Sequence, residues 1–139
     1  MLLAREEKTF EFVELLISTV SSAFRSKRIH IGMDEAHMLG RGAHFDLYGY
    51  ETVNDIMKRH LAKVCEIGDK YGYEVMLWSD MYFRPWNGGK YAISKCKMPK
   101  EIVESVPELV IPVYWDYSKT TEQAYSDMIE NHKQLSNKT

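Results

Sequence analysis

The sequence predicts an α/β fold in which about three parallel strands carry flanking helices. Three short runs, Ile29–Asp34, Glu74–Trp78 and Leu109–Tyr114, alternate with the period of two that marks a strand. The windows around them repeat apolar residues at three- and four-residue spacing, the mark of amphipathic helices. Strands separated by helices run parallel, and right-handed crossovers place the helices on one side. Each run also ends in chemically capable residues: Asp34, Trp78 with Asp80, and Tyr114 with Asp116. Those ends fall at one edge of a parallel sheet, where α/β proteins build their sites.

The first helix is read over residues 5–25, where Phe10, Val13, Leu16, Ile17, Val20 and Phe24 form one apolar stripe. In Ile29–Asp34, alternation sets Ile29, Ile31 and Met33 against His30, Gly32 and Asp34. Residues 36–50 read as a loop punctuated by Gly40, Gly42 and Gly49. A second helix spans Thr52–Lys70 with Val53, Ile56, His60, Val64 and Ile67 inward, and Gly72 stands where a C′ glycine would. The strand Glu74–Trp78 puts Val75 and Leu77 on one face, with Met76, Trp78 and Asp80 on the other. Residues 82–98 read as irregular, and Pro99 opens a short helix over Lys100–Ser105. Pro112 marks a local irregularity in Leu109–Tyr114, since proline gives a central strand no ladder donor. The last helix starts near Thr120, with Ala124, Met128 and Leu135 as its buried stripe.

At 139 residues the chain has the length of one domain and can bury a sizeable core. Hydrophobic residues at 45% and charged residues at 27% place it among globular chains. A formal net charge of −2 gives no reason to expect nucleic acid or an anionic membrane surface. Cys65 and Cys96 form no Cys-x-x-Cys pair, so two free thiols are expected. No apolar run approaches the roughly 20 residues that a membrane span needs. Arg5, Glu6 and Glu7 interrupt any signal-peptide core, which favours a cytoplasmic setting.

The candidate site centres on Asp34-Glu35, because adjacent acids at a strand end are costly to desolvate unless used. One carboxyl can protonate a leaving oxygen while its neighbour stays ionised and steadies positive charge. The same pair could instead cap a helix starting at Ala36. His30, Asp34, Glu35, His37 and His44 could alternatively ligate a metal, although their spacing matches no zinc signature. Trp78 is either core or a wall against which a sugar ring stacks. Tyr114 and Asp116 offer a phenol donor and a carboxylate acceptor on one face. Trp86 is a pocket rim or a loop anchor, Trp115 reads as core, and Arg41 either pairs with Glu35 or is solvated.

His30-Ile-Gly-Met-Asp-Glu35 resembles the His-x-Gly-x-Asp-Glu signature of glycoside hydrolase family 20, the β-N-acetylhexosaminidases. Trp78-Ser-Asp80 and Tyr114-Trp-Asp116 resemble two further strand ends of that family, in the same order. The resemblance implies a (β/α)8 barrel, retaining exo-hydrolysis of terminal β-linked GlcNAc or GalNAc, and no cofactor. It implies that Glu35 is the general acid and then base, and that Asp34 orients and polarises the 2-acetamido group. Glu35 is then expected to sit beside Asp34 with a raised pKa. By the same resemblance Tyr114 bonds the acetamido oxygen, Asp116 a sugar hydroxyl, Trp78 lines the pocket and His30 supports the dyad.

Such a barrel takes about 250 residues, whereas this chain shows three strands that resemble the family's fourth to sixth. The arginine of the first strand and the later tryptophans are missing. An isolated fragment of that kind is expected to be inactive and to associate with itself or a complementary barrel segment. A non-catalytic sugar-binding remnant and a metal-dependent hydrolase using His30, His37 and Asp34 are the alternative readings. The expected partner is a glycan ending in an N-acetylhexosamine.

Overall fold

The computed structural model describes residues 2–136. In chain order the elements are α1 (Glu7–Ala23), β1 (Arg28–His30), α2 (Ala43–Tyr48), α3 (Val53–Lys70), β2 (Glu74–Trp78), α4 (Lys100–Val103), β3 (Val110–Val113) and α5 (Glu122–His132). The strands form one sheet in the order β1-β2-β3. Glu74 N–H donates to Lys27 O at 2.8 Å, Ile31 N–H to Met76 O at 2.9 Å and Trp78 N–H to Gly32 O at 3.0 Å. Both residue numbers rise together, so β1 and β2 are parallel. Ser79 N–H then reaches Val113 O at 3.1 Å on β3. In a parallel ladder the next residue turns its backbone the other way, so Pro112 sits in β3 with its missing donor facing away from β2.

The chain clusters into two compact units. The first holds the residues up to Ile29 together with His37–Val75; the second holds His30–Ala36 and the chain from Met76 onward.

In the first unit α1 packs on α3, with the rings of Phe10 and His60 centred 5.4 Å apart. The buried line of α3 is Ile56, Met57, Leu61, Val64, Cys65 and Gly68. It lies a little to one side of the predicted stripe, since Val53, His60 and Ile67 are only half-buried. Burial pushes the Cys65 thiol up to about 11, and both cysteines are free. On α1 the buried residues are Thr9 and Ile17. The predicted single stripe is thus corrected: Leu16 and Phe24, 51% and 67% exposed, lie outside it. Thr52 caps α3 by accepting Asp55 N–H at 3.1 Å. At the other end Gly72, with φ +70°, permits a Schellman closure in which Tyr73 N–H reaches Gly68 O and Gly72 N–H reaches Asp69 O.

Residues 36–50 are not wholly loop, for α2 lies within them. Glu51 ties this segment down, accepting from Arg59 at 2.6 Å and Arg5 at 3.2 Å, with His44 Nε2 at 3.0 Å. The Arg59 hydrogen bond is the largest of the effects that hold the Glu51 carboxyl below its usual range.

In the second unit Leu77, Phe83, Val110 and Met128 are fully buried. Each such side chain contributes roughly 1.5–3 kcal/mol relative to exposure. The long irregular segment between β2 and α4 has no ladder of its own, so α5 and the turn after it supply partners for its backbone. Asn131 accepts Cys96 N–H at 3.0 Å and donates to Ser94 O at 3.2 Å. Gln134 accepts Met98 N–H at 3.1 Å and donates to Cys96 O at 2.9 Å. Trp86 proves a loop anchor, its indole N–H donating to Tyr82 O at 2.7 Å. Among the described residues no helix is long and apolar enough to cross a membrane.

Gly68 is the contact of α3 with the start of β2: a Cβ there would lie 2.6 Å from Val75 Cγ2. Gly68→Ala should therefore lower the unfolding free energy by about 1–3 kcal/mol through overpacking. Urea melts of the two proteins measure this, and a variant as stable as the parent would refute the packing.

Candidate active site

The predicted strand Ile29–Asp34 stops early. The strand spans Arg28–His30, its last bonds to β2 come from Ile31 and Gly32, and Gly32, Met33 and Glu35 take φ of +73°, +72° and +48°. Two non-glycine residues in the left-handed region within three positions are costly, and such conformations gather at functional sites. The turn carries Asp34 and Glu35 out of the strand, and both are exposed. The alternation expected through Asp34 and the desolvated acid pair are therefore corrected. The buried acid is Asp80, which is wholly inaccessible at the start of a 3-10 turn after β2.

Asp80 Oδ2 accepts two donors. Glu35 N–H lies 3.1 Å away and Arg84 Nε 2.8 Å away. The guanidinium reaches on through Nη2 to Glu35 Oε1 at 3.2 Å and through Nη1 to Gly89 O at 3.0 Å. The cation on Glu35 is thus Arg84, and the Glu35 side chain remains 52% exposed. That surrounding differs from the dry carboxyl expected beside Asp34.

His30 and Trp78 meet as a tilted ring pair, with centroids 4.3 Å apart. His30 Nδ1 accepts Gly32 N–H at 3.1 Å, so its proton in the neutral form is on Nε2. Lost hydration lowers the His30 pKa more than the neighbouring Asp34 raises it. At the end of β3, Asp116 Oδ1 accepts Ser118 N–H at 2.7 Å and Lys119 N–H at 2.6 Å. Those amides, Lys119's foremost, hold the Asp116 carboxyl below its usual range. Burial, then the Asp116 charge, pushes the Tyr114 phenol up to about 12, so it remains a donor at neutral pH.

Tyr91 lies between these groups, with ring centroids 5.7 Å from Tyr114 and 5.3 Å from Trp115. Arg84 stands 5.9 Å over the Trp115 ring, which is half-buried rather than core. His30, Asp34, Glu35, Trp78, Tyr114 and Asp116 accordingly all fall in the second unit. Sequence reasoning missed Arg84 and Tyr91. The four-residue spacing of Asp80 and Arg84 was the available signal, hidden because the segment read as irregular.

Such a set offers an acid, hydrogen-bond donors, acceptors and an aromatic face, which suits recognition and cleavage of a sugar. Residues 1–134 match the family model described as "Glycosyl hydrolase family 20, catalytic domain". The chain belongs to glycosyl hydrolase family 20. Comparison with curated proteins gives no match. The family 20 catalytic domain is a (β/α)8 barrel, and the three parallel strands with their helices are an α/β part of one. Membership makes this a glycoside hydrolase chain of a family that hydrolyses terminal hexosamine glycosides.

Behind the strand ends of this family 20 chain runs a buried polar relay. His132 Nδ1–H donates to Met128 O at 2.6 Å, and in the neutral ring Nε2 is an acceptor 2.6 Å from Ser79 Oγ, whose one hydroxyl proton it shares with Val113 O at 3.0 Å. Ser79 Oγ in turn lies 2.6 Å from Tyr91 Oη and accepts its proton. Ser79, fully buried between Trp78 and Asp80, thus fixes the chain at the end of β2. Burial lowers the His132 pKa against the smaller opposing effect of the Met128 carbonyl. The unfolded chain, with histidine near 6.5, therefore binds the proton more readily than the folded one. The stabilisation is complete above about pH 6.5 and is lost as pH falls below it. Carboxylates with lowered pKa titrate lower still. Between about pH 7 and 5 the melting temperature should fall, and His132→Gln should flatten that fall. Equal slopes in thermal melts of the two proteins would refute the relay's protonation state.

Proposed function

We propose that this chain carries the acid/base and acetamido-binding part of a retaining exo-β-N-acetylhexosaminidase acting on terminal β-linked GlcNAc or GalNAc. The observation that carries this reading is the turn His30-Ile-Gly-Met-Asp-Glu35. It displays two exposed carboxylates, of which Glu35 has a left-handed backbone held by Asp80 and a side chain held by Arg84. In the proposed reaction Asp34 orients and polarises the 2-acetamido group, whose carbonyl oxygen attacks C1. Glu35 gives its proton to the glycosidic oxygen as the C1–O bond breaks. Asp34 offsets the positive charge of the cyclic intermediate. Glu35, now a carboxylate, takes a proton from the water that reopens it. Tyr114 donates to the acetamido oxygen, which its protonated phenol suits. Asp116 accepts a sugar hydroxyl through the oxygen not held by Ser118 and Lys119. Trp78, backed by His30, forms the apolar wall.

The three strands serve in this reading as the fourth to sixth of the barrel. The apolar residues exposed along α1, Phe12, Leu15, Leu16 and Phe24 among them, suit a complementary barrel segment or a second copy. For the metal-hydrolase alternative, no three His, Cys, Asp or Glu side chains among the described residues are grouped to hold an ion.

Hydrolysis of 4-nitrophenyl N-acetyl-β-glucosaminide by the chain, and by the longest product of its gene, tests the reading. Glu35→Gln should lower kcat by about 100-fold or more, as loss of a general acid does. An unchanged rate would remove Glu35 from the mechanism. Thermal stabilisation by N-acetylglucosamine without turnover in either protein would favour a binding remnant instead.

A further inference from the structure

We infer that Asp80 and Arg84 together form a positioning device for Glu35, with Arg84 receiving the negative charge that Glu35 acquires when it gives up its proton. The inference rests on the assignment of Glu35 as the acid; it gives a role to Asp80, which the resemblance left without one, and adds Arg84. Asp80 pins the backbone of Glu35 and Arg84 pins its side chain, so both ends of one residue hang on one buried carboxylate. The left-handed φ of +48° at Glu35 makes the first bond necessary, because such a backbone persists only where its surroundings hold it. Asp80 is wholly buried, and its Oδ1 has no hydrogen-bond partner among the described residues. All of its compensation therefore passes through Oδ2, which Arg84 and the Glu35 amide share.

The guanidinium itself cannot drift. Its Nη1 donates to Gly89 O at 3.0 Å and its Cζ lies 5.9 Å from the Trp115 ring centre. Its planar fork serves Asp80, Gly89 and Glu35 with separate nitrogens, a task a lysine ammonium cannot perform. In the proposed first step the proton moves from Glu35 to the departing oxygen, and the carboxylate left behind meets Arg84 Nη2. In the second step the same carboxylate, still held at one oxygen, takes the proton of the attacking water. Arg84 touches no substrate atom in this scheme and acts through Glu35.

Three variants test the device: Arg84→Gln, Arg84→Lys and the paired Asp80→Asn/Arg84→Gln. The pair removes both charges and so avoids stranding a buried carboxylate. The first readout needs no turnover. In nuclear magnetic resonance spectra of the full chain, the Glu35 amide proton should lie downfield and exchange slowly. It should move upfield in the paired variant and exchange about tenfold faster or more, as a lost hydrogen bond allows. The Glu35 Cδ resonance should shift in Arg84→Gln. Unmoved Glu35 resonances in both variants would overturn the inference even if the chain hydrolyses nothing.

The second readout uses the 4-nitrophenyl substrate with the longest active product of the gene. Arg84→Gln should lower kcat by roughly 100-fold, the cost of a group misplaced by about 1 Å, with KM changed little. Free guanidinium should restore part of the loss, and Arg84→Lys should not replace it. A fall in KM-dependent terms alone, or no rescue, would show Arg84 to be structural. If Glu35→Gln is active while the resonances of Glu35 respond to Arg84, the catalytic assignment fails and the positioning device stands.

Discussion

The burial of one carboxylate, Asp80, is the constraint on which the candidate site depends. A carboxylate removed from water is tolerated only with a close cation and hydrogen bonds. Asp80 gains both at a single oxygen, from Arg84 at 2.8 Å and from the Glu35 amide at 3.1 Å. Each donor constrains something else. Arg84 is drawn back along the 3-10 turn that follows β2, which shapes the start of the long loop toward Gly89. The amide requirement fixes the backbone of Glu35 in a conformation that most residues avoid. A structural charge and a catalytic candidate are thereby made parts of one arrangement.

The relay through Tyr91, Ser79 and His132 works by the same logic without charge. Ser79 sits between Trp78 and Asp80, and its backbone N–H bonds Val113 O while its hydroxyl bonds His132. A residue held from both its backbone and its side chain leaves its neighbours little freedom. Trp78 can then present its ring to His30, and Asp80 can enter the protein interior. The irregular loop is steadied in parallel by Asn131 and Gln134, so its exposed length does not mean that the site residues drift. The candidate site is placed on short elements whose supports lie behind them.

Much of this was legible in the sequence. The period-two runs located β2 within its observed limits and β3 to within a residue at each end, since buried Val75, Leu77 and Val110 leave a plain pattern. Gly72 announced the end of α3 because a left-handed closing residue favours glycine. The motif His30 to Glu35 and the two later strand ends pointed to the family that the comparison then showed. The end of β1 was hidden, because Met33 and Glu35 take left-handed conformations that alternation does not show, Glu35 with its amide held by the distant Asp80. Arg84 was hidden for a related reason: its meaning depends on Asp80 being buried, and alternation alone placed Asp80 on an open polar face. On α1, apolar residues on more than one side read as a single stripe, although Leu16 and Phe24 lie exposed.

The surroundings of Glu35 also bear on the proposal that this one residue serves as acid and then as base. A carboxyl sealed in an apolar pocket keeps its proton well but receives the returning charge poorly. Glu35 instead keeps half of its side chain open to solvent, with one oxygen on a guanidinium that is itself anchored at Asp80 and Gly89. Its ionised form therefore has a fixed partner, and its backbone has a fixed place. What is left free is the face toward the strand ends, where an incoming glycan would displace water and strengthen each charge interaction. The exposed acid and the buried one are complementary: Asp80 is wholly buried and supplies the anchor, and Glu35 stays open on the side a substrate would approach.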